Sequence, residues 1–555
     1  MPGMTTTITG IRLFDGERLT ADTAVRLSGG LIDAVGGPEL LRDGDHHVDG
    51  TGCTLLPGLI DAHVHLLPGA SRQALTFGVT TVLDMFCLPD LLRGALDAST
   101  HPDHADVFSS GVGATAPGGH PSLMYGQFPV VTGPGDADRF VAARIAEGAR
   151  YLKVFYEQGT AGGPLSAPSL DVRTVSALVE AAHRAGLLVA AHVSTGRAAL
   201  DLLPTGVDVL AHTPFDPLTD DQVRAIAAAG VAVVSTLSIA DGFPDGGGTM
   251  PLLSRPALAG RLGPRWSAVI ERQGRRWMPP QLPDFAVAGD NVRTLHRAGV
   301  PVLAGTDAPN PGLAHGASLH RELERLAAAG LTPAEALTSA TARTATVFGL
   351  ADRGRVRPGL RADLVLVAGQ PDLRIRDSQE IRAVWKEGIP AGLGSYVDSP
   401  DETEGLRTLR EQTERVVAAV AAVLPRPEPV PVRRDEDGEL LGYLERAPER
   451  APDHWRPLTV FGGELGEPVS RDDAENLVRA EGLASLTEPW WVEETPGRWR
   501  EARVQEAHAD RLRVRWTDPL ADQPAQGQWI DPRAVAVRRR PPARPSSAEG
   551  GEGRA

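Results

Sequence analysis

His63 and His65 stand two residues apart in the run Leu59-Ile60-Asp61-Ala62-His63-Val64-His65-Leu66, directly after Leu56-Pro57-Gly58. In an extended strand residues i and i+2 face the same side, so the two imidazoles are aimed at one point. Neutral imidazoles converging at the end of an apolar strand suit a borderline metal such as zinc. Taken alone, the pair is equally compatible with two half-buried histidines and no ligand. Later apolar runs carry further polar residues at their ends. Lys153 lies in Tyr151-Leu152-Lys153-Val154-Phe155, His192 ends Leu187–His192, His212 ends Val207–His212, and Asp307 ends Val302–Asp307.

The elements that must position these residues follow from the apolar pattern. Strand-like runs cover Leu59–Leu66, Val79–Met85, Ala105–Ala114, Tyr151–Tyr156, Leu187–Val193, Val207–His212, Val231–Leu237 and Val300–Asp307. Helix-patterned segments such as Asp136–Ala149, Asp171–Ala185, Asp220–Ala229 and Ala286–Ala298 separate several of them. Apolar strands alternating with helices predict a parallel α/β arrangement, and eight of them a (β/α)8 TIM barrel over residues 57–354. Catalytic groups of such a barrel project from the C-terminal strand ends, so the six polar residues meet at one mouth.

In this order, His-x-His, Lys, His, His and Asp, the chain resembles the amidohydrolase superfamily of metal-dependent hydrolases. Leu56–His65, Phe77–Asp84, Ala304–Asp307 and Gly354–Val365 resemble its imidazolonepropionase-like branch. The likeness spans residues 5 to about 390. It implies that His63, His65 and Asp307 hold one metal and His192 and His212 a second, with Lys153 bridging them as a carbamate. Two Zn2+ ions per chain are the expected cofactor, with Mn2+ or Fe2+ as substitutes. An unmodified Lys153 leaves the mononuclear arrangement of deaminases, held by His63, His65, His192 and Asp307. Asp307 would also carry the water proton to the leaving amine. His120, in Ala116-Pro117-Gly118-Gly119-His120-Pro121, stands on a loop similar to the Gly-Gly-His loop of dipeptide-cleaving relatives, and is expected to act on the substrate carbonyl. Tyr156, Glu157 and His315 are candidates for substrate contact, and His46, His47, His101 and His104 read as surface residues.

A length of 555 residues calls for two or three domains. Residues 1–56 and 355–394 alternate short apolar runs with turns and predict one small β-sandwich built from both flanks. The Gly-, Pro- and Arg-rich insert 240–283, with Trp266 and Trp277, reads as a lid. Residues 395–450 read as a helical and Pro-rich linker, with an amphipathic helix over Asp401–Val423. Six of the nine tryptophans fall between Trp455 and Trp529, and four short strands there suggest a small β domain of SH3 or Tudor type over 451–540. Residues 541–555 read as a disordered tail.

The net charge of −15 argues against non-specific binding to nucleic acid or anionic membranes. Two cysteines, no visible secretory leader and no long apolar run point to a cytoplasmic protein. The expected activity is hydrolysis of an amide, a dipeptide or an N-acyl amino acid, acting on a small-molecule substrate. The alternatives are a mononuclear deaminase or cyclic-amide hydrolase, and a scaffold protein acting through its C-terminal module. A protein partner for that module and a homo-oligomer complete the expected partners.

Overall fold

Eight of the apolar runs form short parallel strands. Leu59–Val64, Val79–Asp84 and Asp106–Ser109 make one sheet. Leu152–Phe155, Val189–His192, Val209–Leu210, Ala232–Val234 and Val302–Leu303 make another. Almost every residue of these strands is buried, as parallel strands covered by helices require. Isolated parallel bridges join Ala114 to Val154 and Val64 to Ala308. The computed structural model describes residues 5–157, 168–242, 249–276, 285–392, 394, 396–423, 429–447, 454–495, 498–508, 511–518, 524, 526–532, 535 and 537–539. The ladders are shorter than the apolar runs because the polar ends of the sixth and eighth, His212 and Asp307, leave the sheet to face the site. Several of the helices start where side chains satisfy free N–H groups. Asp171 accepts from Thr174, and Thr219 and Thr332 form capping boxes with Gln222 and Glu335.

The first and eighth strands approach unusually closely. Ala62 donates its main-chain N–H to Ala304 at 2.9 Å. A Cβ on Gly305 would lie 2.5 Å from Val234 Cγ1 and 2.8 Å from the His63 nitrogen. Glycine is therefore what lets the strand leading to Asp307 press against the one bearing His63.

Strands from the two flanks pair with each other. Cys53–Pro57 pairs antiparallel with Leu364–Ala368, with Pro57 opposite Leu364, in a five-stranded sheet. A four-stranded sheet is built from Thr6–Thr9, Ala24–Ser28, Leu31–Gly36 and His46–Asp49. Ile8, Leu13, Val25, Leu55, Leu364 and Trp385 form one core between them.

Two expectations change. The insert is not a loose lid over its described part. It carries the helix Pro256–Arg276, interrupted at Gly263 (φ 79°), and Leu258, Leu262, Trp266 and Ile270 are buried in the main core. Trp277 lies outside the described residues. The helix Pro400–Val423 is not a linker either, for Leu406 and Leu409 enter that same core. Its amphipathic face was legible, but the partner for that face lies more than a hundred residues upstream.

Two compact units divide at Leu424 and Pro425. In the second, Arg498–Ala507, Leu512–Trp516, Gln528–Ile530 and Val537–Arg538 are strands. Pro489–Thr495 joins their sheet. Val430–Arg433, Leu440–Arg446, His454–Leu458 and Val469–Ser470 add another, with the helix Arg471–Glu481 beside it. Strands thus occupy part of the stretch read as linker. Trp490 and Trp516 are core, whereas Trp529 is 44% exposed beneath Arg511 and Arg513. The tail 541–555 lies outside the described residues. Among the described residues, no helix is long and apolar enough to cross a membrane.

His320 ties the layers together. Its Nε2 donates to the Phe77 carbonyl at 2.9 Å, which leaves Nδ1 to accept from Ser378 at 3.0 Å. Burial, opposed by that carbonyl, pushes its pKa down to about 4. The folded state then binds fewer protons than the unfolded chain below pH ~6.5, so its contribution is full above that pH and is lost as pH falls toward 4. Replacing the ring should remove up to about 3 kcal/mol of acid sensitivity. Urea midpoints of His320→Gln are expected to differ less between pH 7 and pH 4.5 than those of the wild type.

Candidate metal centre

At the C-terminal strand ends the imidazoles form a continuous row. Ring centroids are 5.3 Å apart for His63 and His65, 4.7 Å for His63 and His212, 4.6 Å for His212 and His192, and 5.0 Å for His192 and His120. One ligand atom each from His63, His65 and Asp307 lie within 4.8 Å of one another. Asp307 Oδ1 stands 3.3 Å from His63 Nε2 and 3.0 Å from His65 Nε2, and Oδ2 is 4.0 Å from His212 Nδ1.

The surroundings decide which nitrogens are free. His63 Nδ1 is 3.0 Å from the Ala211 carbonyl, which can only accept, so Nδ1 carries the proton and Nε2 turns a lone pair inward. His63 Nε2 and Asp307 Oδ1 are both buried without a hydrogen-bond partner, as is Lys153 Nζ. A buried imidazole lone pair on His63 facing a carboxylate oxygen is unfavourable without a cation between them, so these residues fit a divalent metal. His192 Nε2 meets Glu157 at 3.0 Å, and Glu157 also accepts from Ser194 at 2.5 Å. The carboxylate thereby fixes that ring and leaves Nδ1 with the lone pair.

Burial and neighbouring charge set the protonation states. Desolvation, with the charge of Lys153, holds His63 well below the ordinary imidazole range, and His212 is lowered by burial and by His192. Burial alone would raise the Asp307 carboxyl, but His63, His65 and Lys153 outweigh it and keep it ionised. Burial drives Lys153 down to about 7, against the pull of Asp307 and Asp84.

Backbone strain marks the same place. Asp307 (φ 62°) and Thr236 (φ 43°), at the ends of the eighth and seventh strands, both sit in the left-handed region. Thr236 Oγ1 is 3.0 Å from His212 Nδ1. Glu322 holds that turn by accepting from Ser235, from Leu237 N at 3.1 Å and from Ser238 N at 2.6 Å. Asp61 takes the N–H of His63 at 3.2 Å and both the N–H and hydroxyl of Thr306, at 3.0 and 2.8 Å. It locks the first strand to the eighth, and burial pushes its pKa up to about 7. Thr236, Glu322 and Asp61 escaped the sequence reading because nothing local sets them apart. Only Asp61, two residues before His63 in an apolar strand, carried a usable signal.

Of the expected residues, His63, His65, Lys153, His192, His212 and Asp307 come together. His120 joins them from its loop, stacked on His192 and open to solvent, with Phe155 at 5.3 Å. Two placements differ. Tyr156 is buried in the strand–helix layer, its hydroxyl donating to Asp201 at 3.3 Å, because the strand alternation turns it away from the mouth. His315 is fully buried and its Nε2 donates to the His65 carbonyl at 2.9 Å, so it supports a ligand's backbone from behind. His104, expected on the surface, is buried against Ser71 at 2.8 Å, whereas His46, His47 and His101 are exposed.

The chain resembles known proteins to different extents. Imidazolonepropionase from Salinispora arenicola is 25% identical over 430 residues, covering 66% of this chain and 92% of the relative. Enamidase from Eubacterium barkeri is 47% identical over 77 residues, 12% of this chain and 20% of the relative. A crystal structure of a Xaa-Pro dipeptidase with bound methionine superposes with a TM-score of 0.55 at 22% identity, over 70% of this chain and 99% of that one. The A. niger ochratoxinase gives a TM-score of 0.53 at 20% identity, over 70% and 96%. At such identities the structural likeness concerns the fold. The amidohydrolase family model matches residues 54–393, which contain every residue of the row and its supports, and the chain therefore belongs to the amidohydrolase family and is a hydrolytic enzyme acting on carbon–nitrogen bonds.

Proposed function

We propose that the protein is a dinuclear metal-dependent amidohydrolase that cleaves a linear or cyclic amide of a small molecule, such as a dipeptide or an N-acyl amino acid. The observation that carries this is the buried Lys153 Nζ, which has no hydrogen-bond partner and acts electrostatically on both His63 and Asp307 of the metal-holding group His63, His65 and Asp307. An ammonium or amine there satisfies neither itself nor two cations, whereas a carbamate on Nζ offers two anionic oxygens. His63, His65 and Asp307 would hold one metal, and His192 and His212 the other, with Lys153 shared. Zinc is the proposed ion, since nitrogen and carboxylate donors suit it. Bound there, the metals would supply Lewis acidity and lower the pKa of water toward about 7.

The chain's own residues account for the proton movements. The ionised Asp307 carboxylate takes a proton from the attacking water as its oxygen bonds to the carbonyl carbon. It then delivers that proton to the amine nitrogen as the carbon–nitrogen bond breaks. His120 lies on the solvent side of the row, stacked on His192. Its ring N–H can donate to the oxygen on which negative charge develops. Glu157, Thr236 and the Ala211 carbonyl keep the other rings oriented.

The wider expectations follow the same reading. The eight parallel strands are proposed to be one (β/α)8 barrel, a reading supported by the bridges at Ala114–Val154 and Val64–Ala308. The second unit is proposed as an SH3- or Tudor-like module and a docking element for a protein partner, and the enzyme as a cytoplasmic homo-oligomer. The names of the relatives, imidazolonepropionase and enamidase, and of the Xaa-Pro dipeptidase neighbour, set the first substrates to test.

A screen of dipeptides, N-acyl amino acids and lactams against zinc- or manganese-loaded protein tests the activity. Turnover of at least one class is expected, and none would refute it. Metal analysis should give about two ions per chain for the wild type and about one for Lys153→Met; equal contents would exclude the bridging role. Asp307→Asn should lower kcat by about a hundredfold or more, because the amide cannot carry the proton.

A further inference from the structure

The helix Pro400–Val423 begins beyond the residues that the family model matches, which end at 393. It is nevertheless built into the catalytic unit. Leu406 and Leu409 pack in the core shared with the helix Pro256–Arg276. The buried Glu402 carboxylate accepts from Arg265 at 3.2 Å and from the Asp398 nitrogen at 2.6 Å. Gln273 forms the decisive link. Its Nε2 donates to Thr413 Oγ1 at 3.4 Å, and its Oε1 accepts from Gly312 N at 3.1 Å. Gly312 lies in the loop that follows Asp307, so the appended helix is registered against the loop bearing the site carboxylate.

A cavity of about 60 Å3 opens between this helix and the strand ends. His65, Tyr125, Asn310 and Pro311 line its inner side. Leu409, Gln412, Thr413 and Val416 line its outer side. Among the described residues the lining contains no aspartate, glutamate, lysine or arginine. One water needs about 10–15 Å3, so the cavity has room for a group of a few heavy atoms. A charged group seated against Leu409, Val416 and Pro311 would give up hydration to apolar walls, whereas an alkyl group gains from burial.

We infer that the appended helix is the outer wall of the substrate pocket, and that Leu409, Gln412, Thr413 and Val416 select a small, uncharged, apolar substituent on the amide cleaved beside His65. This rests on the amide-hydrolase reading above. It assigns substrate selection in part to a segment outside the family domain, and it gives the insert helix the role of a pillar for that segment.

The test uses the metal-loaded full chain and chromogenic amides whose acyl group grows from acetyl to hexanoyl, with a succinyl member added. The wild type is expected to favour short neutral acyl groups over succinyl by about tenfold or more in kcat/KM. Gln412→Ala and Val416→Ala should shift the preference toward longer acyl groups by a similar factor, with metal content per chain unchanged. Gln412→Arg should raise the succinyl rate relative to acetyl. Ratios unchanged within about twofold in all three variants would overturn the inference. If the wild type turns over no member, the amide-hydrolase reading fails, and the wall is judged by ligand-observed NMR of the same amides. Binding that is lost in Val416→Trp supports the wall; binding that is unchanged, or absent from the wild type as well, overturns it.

Discussion

A carboxylate oxygen and two imidazole nitrogens converge in a buried pocket, Asp307 Oδ1 lying 3.3 Å from His63 Nε2 and 3.0 Å from His65 Nε2. The Ala211 carbonyl takes the only proton of the neutral His63 ring, and the Asp307 carboxylate faces the nitrogen left bare. His65 brings a second imidazole to the same carboxylate oxygen. Everything around this point serves to keep the electron-rich atoms together despite their mutual repulsion. Gly305 lets the eighth strand close on the first, Asp61 locks the two, and the left-handed backbone of Asp307 aims the carboxylate inward. A divalent cation converts that concentration of lone pairs from a cost into a source of stability.

The supports differ in kind along the row. Main-chain carbonyls fix His63 and, through His315, the backbone of His65. Side-chain oxygens fix the other two, Glu157 for His192 and Thr236 for His212. Carbonyl partners are set by the strands and cannot be removed by substitution. The Glu157 and Thr236 contacts can, so the half of the site farther from Asp307 is the more tunable half. His120 lies beyond it on a solvent-exposed loop, where a donor can meet a substrate that enters from outside.

The sequence was most informative where chemistry and secondary structure coincide. The alternation of His63 and His65, and the polar residues ending apolar runs at His192, His212 and Asp307, point to five side chains that the fold brings near one another, because strand period and strand ends are local properties. Lys153 was legible for the same reason. Tyr156 differs because the alternation that puts Lys153 and Phe155 on one face turns the next ring into the helix layer. His315 was misplaced because only the packing reveals that it lies behind His65. The helix 400–423 showed its amphipathic face but not its partner, since Gln273 and Trp266 approach it from an insert with no helical signal strong enough to predict. Long-range pairing, more than element type, was the missing information.

A wall placed beside the strand ends would separate two tasks. The strand ends supply reactivity, and a segment outside the family domain borders the space where the substrate's variable part would lie. X-ray absorption spectroscopy of the zinc-loaded full chain tests the central claim most directly. The account predicts a nitrogen/oxygen shell at about 2.0–2.2 Å with outer-shell scattering from imidazole carbons, diminished in His63→Ala and His65→Ala. Stoichiometric zinc whose spectrum is indifferent to both substitutions, or no stoichiometric zinc at all, would contradict it.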